Sequence, residues 1–274
     1  MSCSDLHLSR RLERAEGDAC VQSVAARSRI FPTSGAEWME CAGTYAAFDA
    51  IDSPITQTFC LGLIEELTPS ALDTIERFFF ERGADVHHEV SPFAGVRAVD
   101  LLCGRGYRPI EFSNVLYRPL ERSINQVATH PNRGITVRAI APEEATLWSG
   151  VAARGWSHEH PEIHDFMLEM GVISAAREGC VCFLAELDGA PGAAGALCFH
   201  EGVALLGGAS TVPEMRRRGL QSALLYHRMN YALDHGCDVA MIATELGSGS
   251  QRNAEREGFS IAYSRTKWRL ARPA

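Results

Sequence analysis

Three arginines and a glycine, Arg216-Arg217-Arg218-Gly219, followed by Leu220 and Gln221, are the residues of this sequence best suited to chemistry, and that chemistry is anion binding. They follow an apolar run with strand character, residues 203–210, through Thr211-Val212-Pro213-Glu214-Met215. They precede a long helical pattern marked by Leu220, Ala223, Leu224, His227 and Tyr231. The first turn of a helix leaves backbone N–H groups unpaired, and the peptide dipoles add partial positive charge there. Gly219 lets an anion approach that backbone with no Cβ in the way, and arginine supplies forked donors for phosphate oxygens. On its own the run also describes a solvated basic loop before an ordinary helix. A nucleotide P-loop fits less well, because Leu220-Gln221 stands where that motif needs Lys-Ser or Lys-Thr.

The elements that position the loop occur twice along the chain. In the first half, residues 9–26 read as a polar helix and residues 45–63 as extended, interrupted at Ser53-Pro54. Thr68-Pro69 is an N-cap with proline in the first turn. Leu72, Ile75, Phe78 and Phe79 follow at helical spacing, and Gly83 stops the helix. A strand (84–90), a second helix (95–103) and a strand (107–117) complete the set. In the second half, the helix from Leu220 ends at Gly236, followed by a strand (238–244), a short helix (251–257) and a strand (259–270). Gly236 follows Gly83 by 153 residues and Gly258 follows Gly106 by 152, with Gly83-Ala84-Asp85-Val86 matching Gly236-Cys237-Asp238-Val239. Two glycine landmarks at nearly one offset, with the same elements between them, indicate an internal duplication.

Residues 123–134, with Ser123, Asn125, Pro131, Asn132 and Gly134, have the turn-rich composition of a linker. The expected domains are therefore residues 1–122 and 135–274. The second opens with a strand (135–140), and Pro142-Glu143-Glu144 then starts a helix through Trp148. Strands 181–187 and 194–199 are joined by the turn Asp188-Gly189-Ala190-Pro191-Gly192. The fold class expected is α/β of the α+β type, with a mixed, mostly antiparallel sheet flanked by helices in each domain.

Composition narrows the function. The chain has 274 residues, 46% hydrophobic and 22% charged, enough for two cores and unlike a disordered protein. A net charge of −8 argues against a general nucleic-acid binder, which needs a broad positive field. The first fifteen residues lack a signal-peptide core, no window is apolar enough to span a bilayer, and nine scattered cysteines suit reduced thiols. A cytoplasmic protein without membrane or nucleic-acid partners is expected, with a homodimer left open.

The run from Ala209 through Arg216-Arg217-Arg218-Gly219-Leu220-Gln221 to Leu225 resembles motif A of the GNAT acetyltransferase superfamily, whose core is Arg/Gln-x-x-Gly-x-Gly/Ala. Arg216 takes the first place and Gly219 the fourth; Gln221 departs from the small residue usual at the sixth. Residues 250–259, ending in Gly258-Phe259, look like motif B. The resemblance implies two GNAT-like domains, the first degenerate, and an N-acetyltransferase that moves an acetyl group from acetyl-CoA to a primary amine of a small molecule or protein. It implies acetyl-CoA between strands 203–210 and 238–244, its pantetheine along Ala209, Thr211 and Val212. The pyrophosphate would lie on the backbone of Arg217, Arg218, Gly219, Leu220, Gln221 and Ser222, with Asn253 and Arg256 as further contacts. No metal is implied. The first copy has the acidic Glu65-Glu66-Leu67-Thr68-Pro69 before its helix and is expected not to bind CoA.

Direct transfer needs a neutral amine, and an alkyl amine at pH 7 is protonated by roughly 4 to 5 kcal/mol. Glu245, at the end of strand 238–244, is the candidate base; its other reading is a solvated carboxylate. The oxyanion would draw on a backbone N–H near Val212. Many GNAT enzymes protonate the departing thiolate with a tyrosine four residues before the motif B glycine, where this chain has Ala254. Ser250 or Tyr263 are the substitutes, although Tyr263 also reads as strand packing. This departure and the degenerate first copy support an alternative, a non-catalytic acyl-CoA sensor or scaffold. The run Trp156 to His164 lies where the family's early helices shape the acceptor pocket, making Trp156 and His158 substrate candidates. Histidines 158, 160 and 164 have no continuous helix between them, because Pro161 intervenes, and read better as a polar loop than a metal site. Cys180-x-Cys182 puts two thiols on one strand face and reads as packing. Of His87-His88, one must face inward.

Overall fold

A computed structural model of the chain describes residues 6–121, 134–158 and 161–273; the expected linker lies almost wholly outside them. The elements in chain order are α1 (Leu6–Ile30), β1 (Glu37–Cys41), β2 (Thr44–Phe48), β3 (Gln57–Phe59), α2 (Pro69–Phe80), β4 (Val86–Val90), α3 (Gly95–Gly104) and β5 (Arg108–Pro119). They continue with β6 (Ile135–Ala139), α4 (Ala145–Ser157), α5 (His164–Ala175), β7 (Cys180–Leu187), β8 (Ala190–His200) and β9 (Val203–Thr211). The chain closes with α6 (Leu220–Asp234), β10 (Val239–Glu245), α7 (Gly249–Arg256) and β11 (Ser260–Leu270). Contacts divide it into two compact units, one of Met1–Arg118 with Met241–Ala274, the other Pro119–Ala240. Among the described residues no helix is long and apolar enough to cross a membrane.

The duplication is visible in individual backbone hydrogen bonds. After α2, Gly83 (φ 70°) turns the chain and the Ala84 N–H donates to Phe79 O at 3.1 Å. After α6, Gly236 (φ 83°) does the same and Cys237 donates to Ala232 O at 3.0 Å. Tyr107 and Phe259 repeat the bond after α3 and α7, donating to Leu102 O and Ala254 O, each at 3.0 Å, past Gly106 and Gly258. Each turn needs a left-handed residue to close the helix end, which glycine adopts without a Cβ penalty.

In the first unit the strand order is β1-β2-β3-β4-β11-β5-β10. β3 runs parallel to β4, and β11 lies antiparallel to both β4 and β5. The last strand of the second copy is therefore inserted between two strands of the first, while β5, the last strand of the first copy, lies between β11 and β10 of the second. Periodicity along the chain does not reveal this exchange, because β11 has the same composition in either place. Helices α2 and α3 bury Leu72, Ile75, Phe79 and Leu102 with Val86 and Val90 of β4. Helix α1 buries Cys20 and Val24 with Ala47 and Phe59. His88 is the inward member of its pair: its Nδ1 is 2.6 Å from Thr58 Oγ1 and its Nε2 3.0 Å from Tyr107 Oη. Burial lowers its pKa to about 3, so it is neutral.

A charged cluster sits under α1. Arg265 of β11, buried, pairs with Glu16 at 2.7 Å, Glu89 at 3.0 Å and Glu13 at 3.4 Å. Tyr263 donates to Glu13 Oε1 at 2.9 Å, and Glu13 Oε2 has no hydrogen-bond partner. Burial pushes the Glu13 pKa up to about 7, against the lowering pull of Arg265.

In the second unit β9, β8, β7 and β6 form a meander of antiparallel pairs. The β7–β8 turn is shorter than expected: Asp188 (φ 51°) and Gly189 (φ 80°) make it alone, the sign pattern of a two-residue hairpin. Pro191 lies within β8, where an irregularity between Ala185 and Glu186 excuses its missing N–H. Alternation then sorts the sheet into two faces. Cys182, Leu184, Ala194 and Ala196 pack on Trp148, Val151 and Ala152 of α4, while Phe183 meets His227 and Tyr231 of α6 edge-on. The polar run after Ser157 gives way to a further helix, α5, which its irregular apolar pattern does not announce.

Candidate acyl donor site

The basic loop begins where β9 is bent. Ala194 of β8 faces Ser210 and Ala196 faces Gly207, so β9 spends one extra residue across that interval. The extra residue is a β-bulge, and Gly208 takes the positive φ of 60° it requires. A Cβ at Gly207 or Gly208 would meet nothing within 4 Å, so this length of β9 is open on both positions. The bulge was legible in the adjacent glycines Gly207-Gly208 inside a strand pattern.

Beyond the bulge the strand end is fixed from both sides. The Val212 N–H donates to Gly192 O at 2.9 Å, so it is not the free N–H expected there from the sequence. Ser210 Oγ donates to Ala152 O of α4 at 3.0 Å, and Gly155 packs so closely that a Cβ there would come within 2.4 Å of Ser210 Oγ. Helix α4 therefore lies directly on β9, and its last turn brings Trp156 and His158 to the same end of the strand as the loop. Both are exposed.

The three arginines have separate jobs. Arg216 is structural: its Nε donates to Thr211 O at 3.3 Å and its Nη2 to Gly155 O at 3.1 Å, tying the loop to β9 and α4. Arg217 and Arg218 are exposed. Arg217 holds φ 63° and Gly219 φ 94°, so the chain turns twice through the left-handed region before the helix starts. No side chain caps α6. Its leading N–H groups have no helical acceptor, and the two outer arginines stand beside them. Gln221 fits the site because its Oε1 takes a hydrogen bond from Thr211 Oγ1 at 3.4 Å, which directs the side chain toward β9.

Helix α6 is anchored by a residue that no sequence signal marked. Arg228 is 1% exposed, and its Nη1 donates to Ala196 O at 2.8 Å and Gly207 O at 3.3 Å. Burial lowers its pKa to about 10, which leaves it charged at neutral pH. Gly195 makes room for it: a Cβ there would lie 2.9 Å from Arg228 Nη1. A guanidinium under the helix fixes the height of the N-terminus over the bulge.

The candidates on β10, α7 and β11 belong to the first unit. Glu245 ends β10 and is exposed; Ser250 is exposed on α7. Asn253 and Arg256 hydrogen-bond each other on the outer side of α7. Ala254 is the buried residue of that helix, 3% exposed. Tyr263 is committed to Glu13, with its ring edge-on to Phe93. Of the three histidines weighed as ligands, His164 hydrogen-bonds Asp165 at 3.1 Å, and His160 lies outside the described residues. Among the described residues no group of three His, Cys, Asp or Glu could hold a metal.

The profile of the acetyltransferase (GNAT) family matches residues 142–259. Among solved structures, a GCN5-related N-acetyltransferase from Kribbella flavida superposes with TM-score 0.64 at 16% identity, over 91% of this chain and 95% of that one. A tandem GNAT protein from the clavulanic acid biosynthesis pathway gives 0.62 at 14% identity, over 98% and 95%. A GCN5-related N-acetyltransferase from Sphaerobacter thermophilus gives 0.54 at 15% identity, over 100% and 96%. No curated protein matches the sequence. At these identities the structures speak for the fold over nearly the whole chain, a GNAT fold, and residues 142–259 match the profile of the acetyltransferase (GNAT) family.

Proposed function

We propose that the protein is an N-acetyltransferase that takes its acetyl group from acetyl-CoA and delivers it to a primary amine of a small molecule or an exposed protein amine. The observation that carries the reading is the uncapped N-terminus of α6, entered through left-handed Arg217 and Gly219 inside the family-matched stretch. Acetyl-CoA supplies an activated thioester. The backbone of residues 217–222 would hold its pyrophosphate, with the Arg217 and Arg218 guanidinium groups neutralising charge. The open, bulged end of β9 would offer its backbone to the pantetheine amides. Trp156 and His158, which α4 carries to the same end, would border the acceptor. Tyr263 is not the donor to the leaving thiolate, because its hydroxyl is committed to Glu13.

The test is turnover. Purified protein with acetyl-CoA and a broad panel of amines is expected to release CoA, followed chromatographically because nine cysteines would react with a thiol reagent. Absence of CoA release with every amine, alongside tight CoA binding, would instead favour an acyl-CoA sensor or scaffold. Buried Ala254 in the usual acid position is the observation behind that second reading.

A further inference from the structure

The hairpin of β7 and β8 brings together thiols that the sequence shows 18 residues apart. Cys180 and Cys198 are direct partners in the antiparallel ladder, and their Sγ atoms lie 2.7 Å apart. The neighbouring rung is hydrogen-bonded, Phe199 N–H donating to Gly179 O at 2.8 Å. The Cys180–Cys198 rung is then of the non-hydrogen-bonded kind, whose Cα atoms approach to about 4.5 Å. That spacing lies at the short end of the range a disulfide can bridge. Cys182 lies on the same face of β7, opposite Ala196. Arg177, in the segment leading into β7, places its charge close enough to the Cys180 thiol to favour the thiolate. Cys180 is half-buried, while Cys182 and Cys198 are buried. The neighbouring Cys182 and Cys198 thiols and the Arg177 charge together hold its pKa well below the ordinary thiol range.

We propose that Cys180 and Cys198 form a hydroperoxide-reactive dithiol in which Cys180 attacks and Cys198 resolves, closing a cross-strand disulfide between β7 and β8. In the first step the Cys180 thiolate attacks one oxygen of the hydroperoxide. An S–O bond forms, the O–O bond breaks, and the leaving oxygen takes a proton and departs as water (or as the alcohol of an organic hydroperoxide). Cys180 is oxidised to the sulfenic acid and the hydroperoxide is reduced. In the second step the Cys198 sulfur attacks the sulfenic sulfur, the S–S bond forms, and the S–O bond breaks. The released hydroxide combines with the Cys198 proton as a second water. Arg177 favours the thiolate that starts the sequence. The cross-link staples β7 to β8 two residues from Ala196, whose carbonyl Arg228 uses to anchor α6. The inference is independent of the acyl donor and of the acceptor.

Reduced protein treated with equimolar hydrogen peroxide, blocked with N-ethylmaleimide and digested is expected to yield one dominant cross-linked peptide pair, Cys180 with Cys198. It should form at least tenfold faster than any other cysteine is lost. Cys198→Ser should leave a Cys180 sulfenic acid that dimedone traps, and Arg177→Met should slow the oxidation about tenfold with an unchanged circular dichroism spectrum. A peptide map showing another cysteine oxidised first, or dimedone-labelled Cys180 without the cross-link in the wild-type chain, overturns the proposal. If Cys198→Ser does not fold, the wild-type peptide map decides alone.

Discussion

Helices α2 and α6 occupy equivalent places in the two copies, and their N-termini have opposite chemistry. At α2, Thr68 Oγ1 accepts the Ala71 N–H at 3.2 Å, Pro69 has no N–H to offer, and the preceding Glu65 and Glu66 are acidic. At α6, Gly219 cannot cap, and Arg217 and Arg218 stand exposed beside the open turn. The order of elements after the two helices is the same, and so are the hydrogen bonds across Gly83 and Gly236. The fold thus needs the helix in both copies but an open helix end in only one. Capping and anion binding compete for the same N–H groups, and the first copy has spent them internally.

The largest expected break in this asymmetry is Gly219→Val. A β-branched residue resists φ 94°, and relaxing the turn withdraws the N–H groups from the anion. CoA affinity measured by titration calorimetry should fall about a thousandfold, ~4 kcal/mol. Retention within tenfold would show that the left-handed turn is not what separates the copies.

The first unit also holds a cluster of charge inside, at Glu13, Glu89 and Arg265. The Glu13 pKa is raised from 4.5 in the unfolded chain to about 7 in the fold. Between those values the folded state binds the extra proton, so the stabilisation is complete below pH 4.5 and is lost as pH rises through 7. Its size is on the order of 3 kcal/mol. Urea unfolding at pH 5 and pH 8 should show a drop of that order, and Glu13→Gln should flatten it. An equal drop in the variant would place the proton elsewhere.

Much of this was legible in the residues. Thr68-Pro69, the four turn glycines and the 153-residue offset identified the helix ends and the duplication, because caps and left-handed turns restrict residue type strongly. Motif A located the turn before α6 for the same reason, with Gly219 in the left-handed region. The insertion of β11 between β4 and β5 was not legible: strand order depends on pairing between distant segments, and Arg265 and Tyr263 show no pattern until Glu13 is opposite them. Arg228 looks like a solvent-facing helix residue until the carbonyls of Ala196 and Gly207 are placed under it. Nor can spacing along β7 show Cys198, which the hairpin supplies.

The arginines refine the comparison at a smaller scale. Arg217→Ala with Arg218→Ala should weaken CoA binding about a hundredfold, ~2.7 kcal/mol, and make the remaining affinity less sensitive to salt. Arg216→Ala should act differently, because Arg216 holds Thr211 and Gly155 carbonyls: its main effect is a lower Tm. Equal effects of all three on salt dependence would contradict this division of labour.

The smallest effect tests the silent copy. Thr68→Ala removes the cap from α2 and should cost about 1 kcal/mol of stability by denaturant titration, with CoA affinity unchanged because α6 is untouched. Opening the helix end is not sufficient to create a second site. A Thr68→Gly, Glu65→Arg, Glu66→Arg chain still has Pro69 at the first helical position, without the N–H that Leu220 presents in α6. That triple variant should bind one CoA per chain, the stoichiometry expected of the parent. Two per chain by calorimetry would mean that charge alone, and not the backbone donors, separates the two copies.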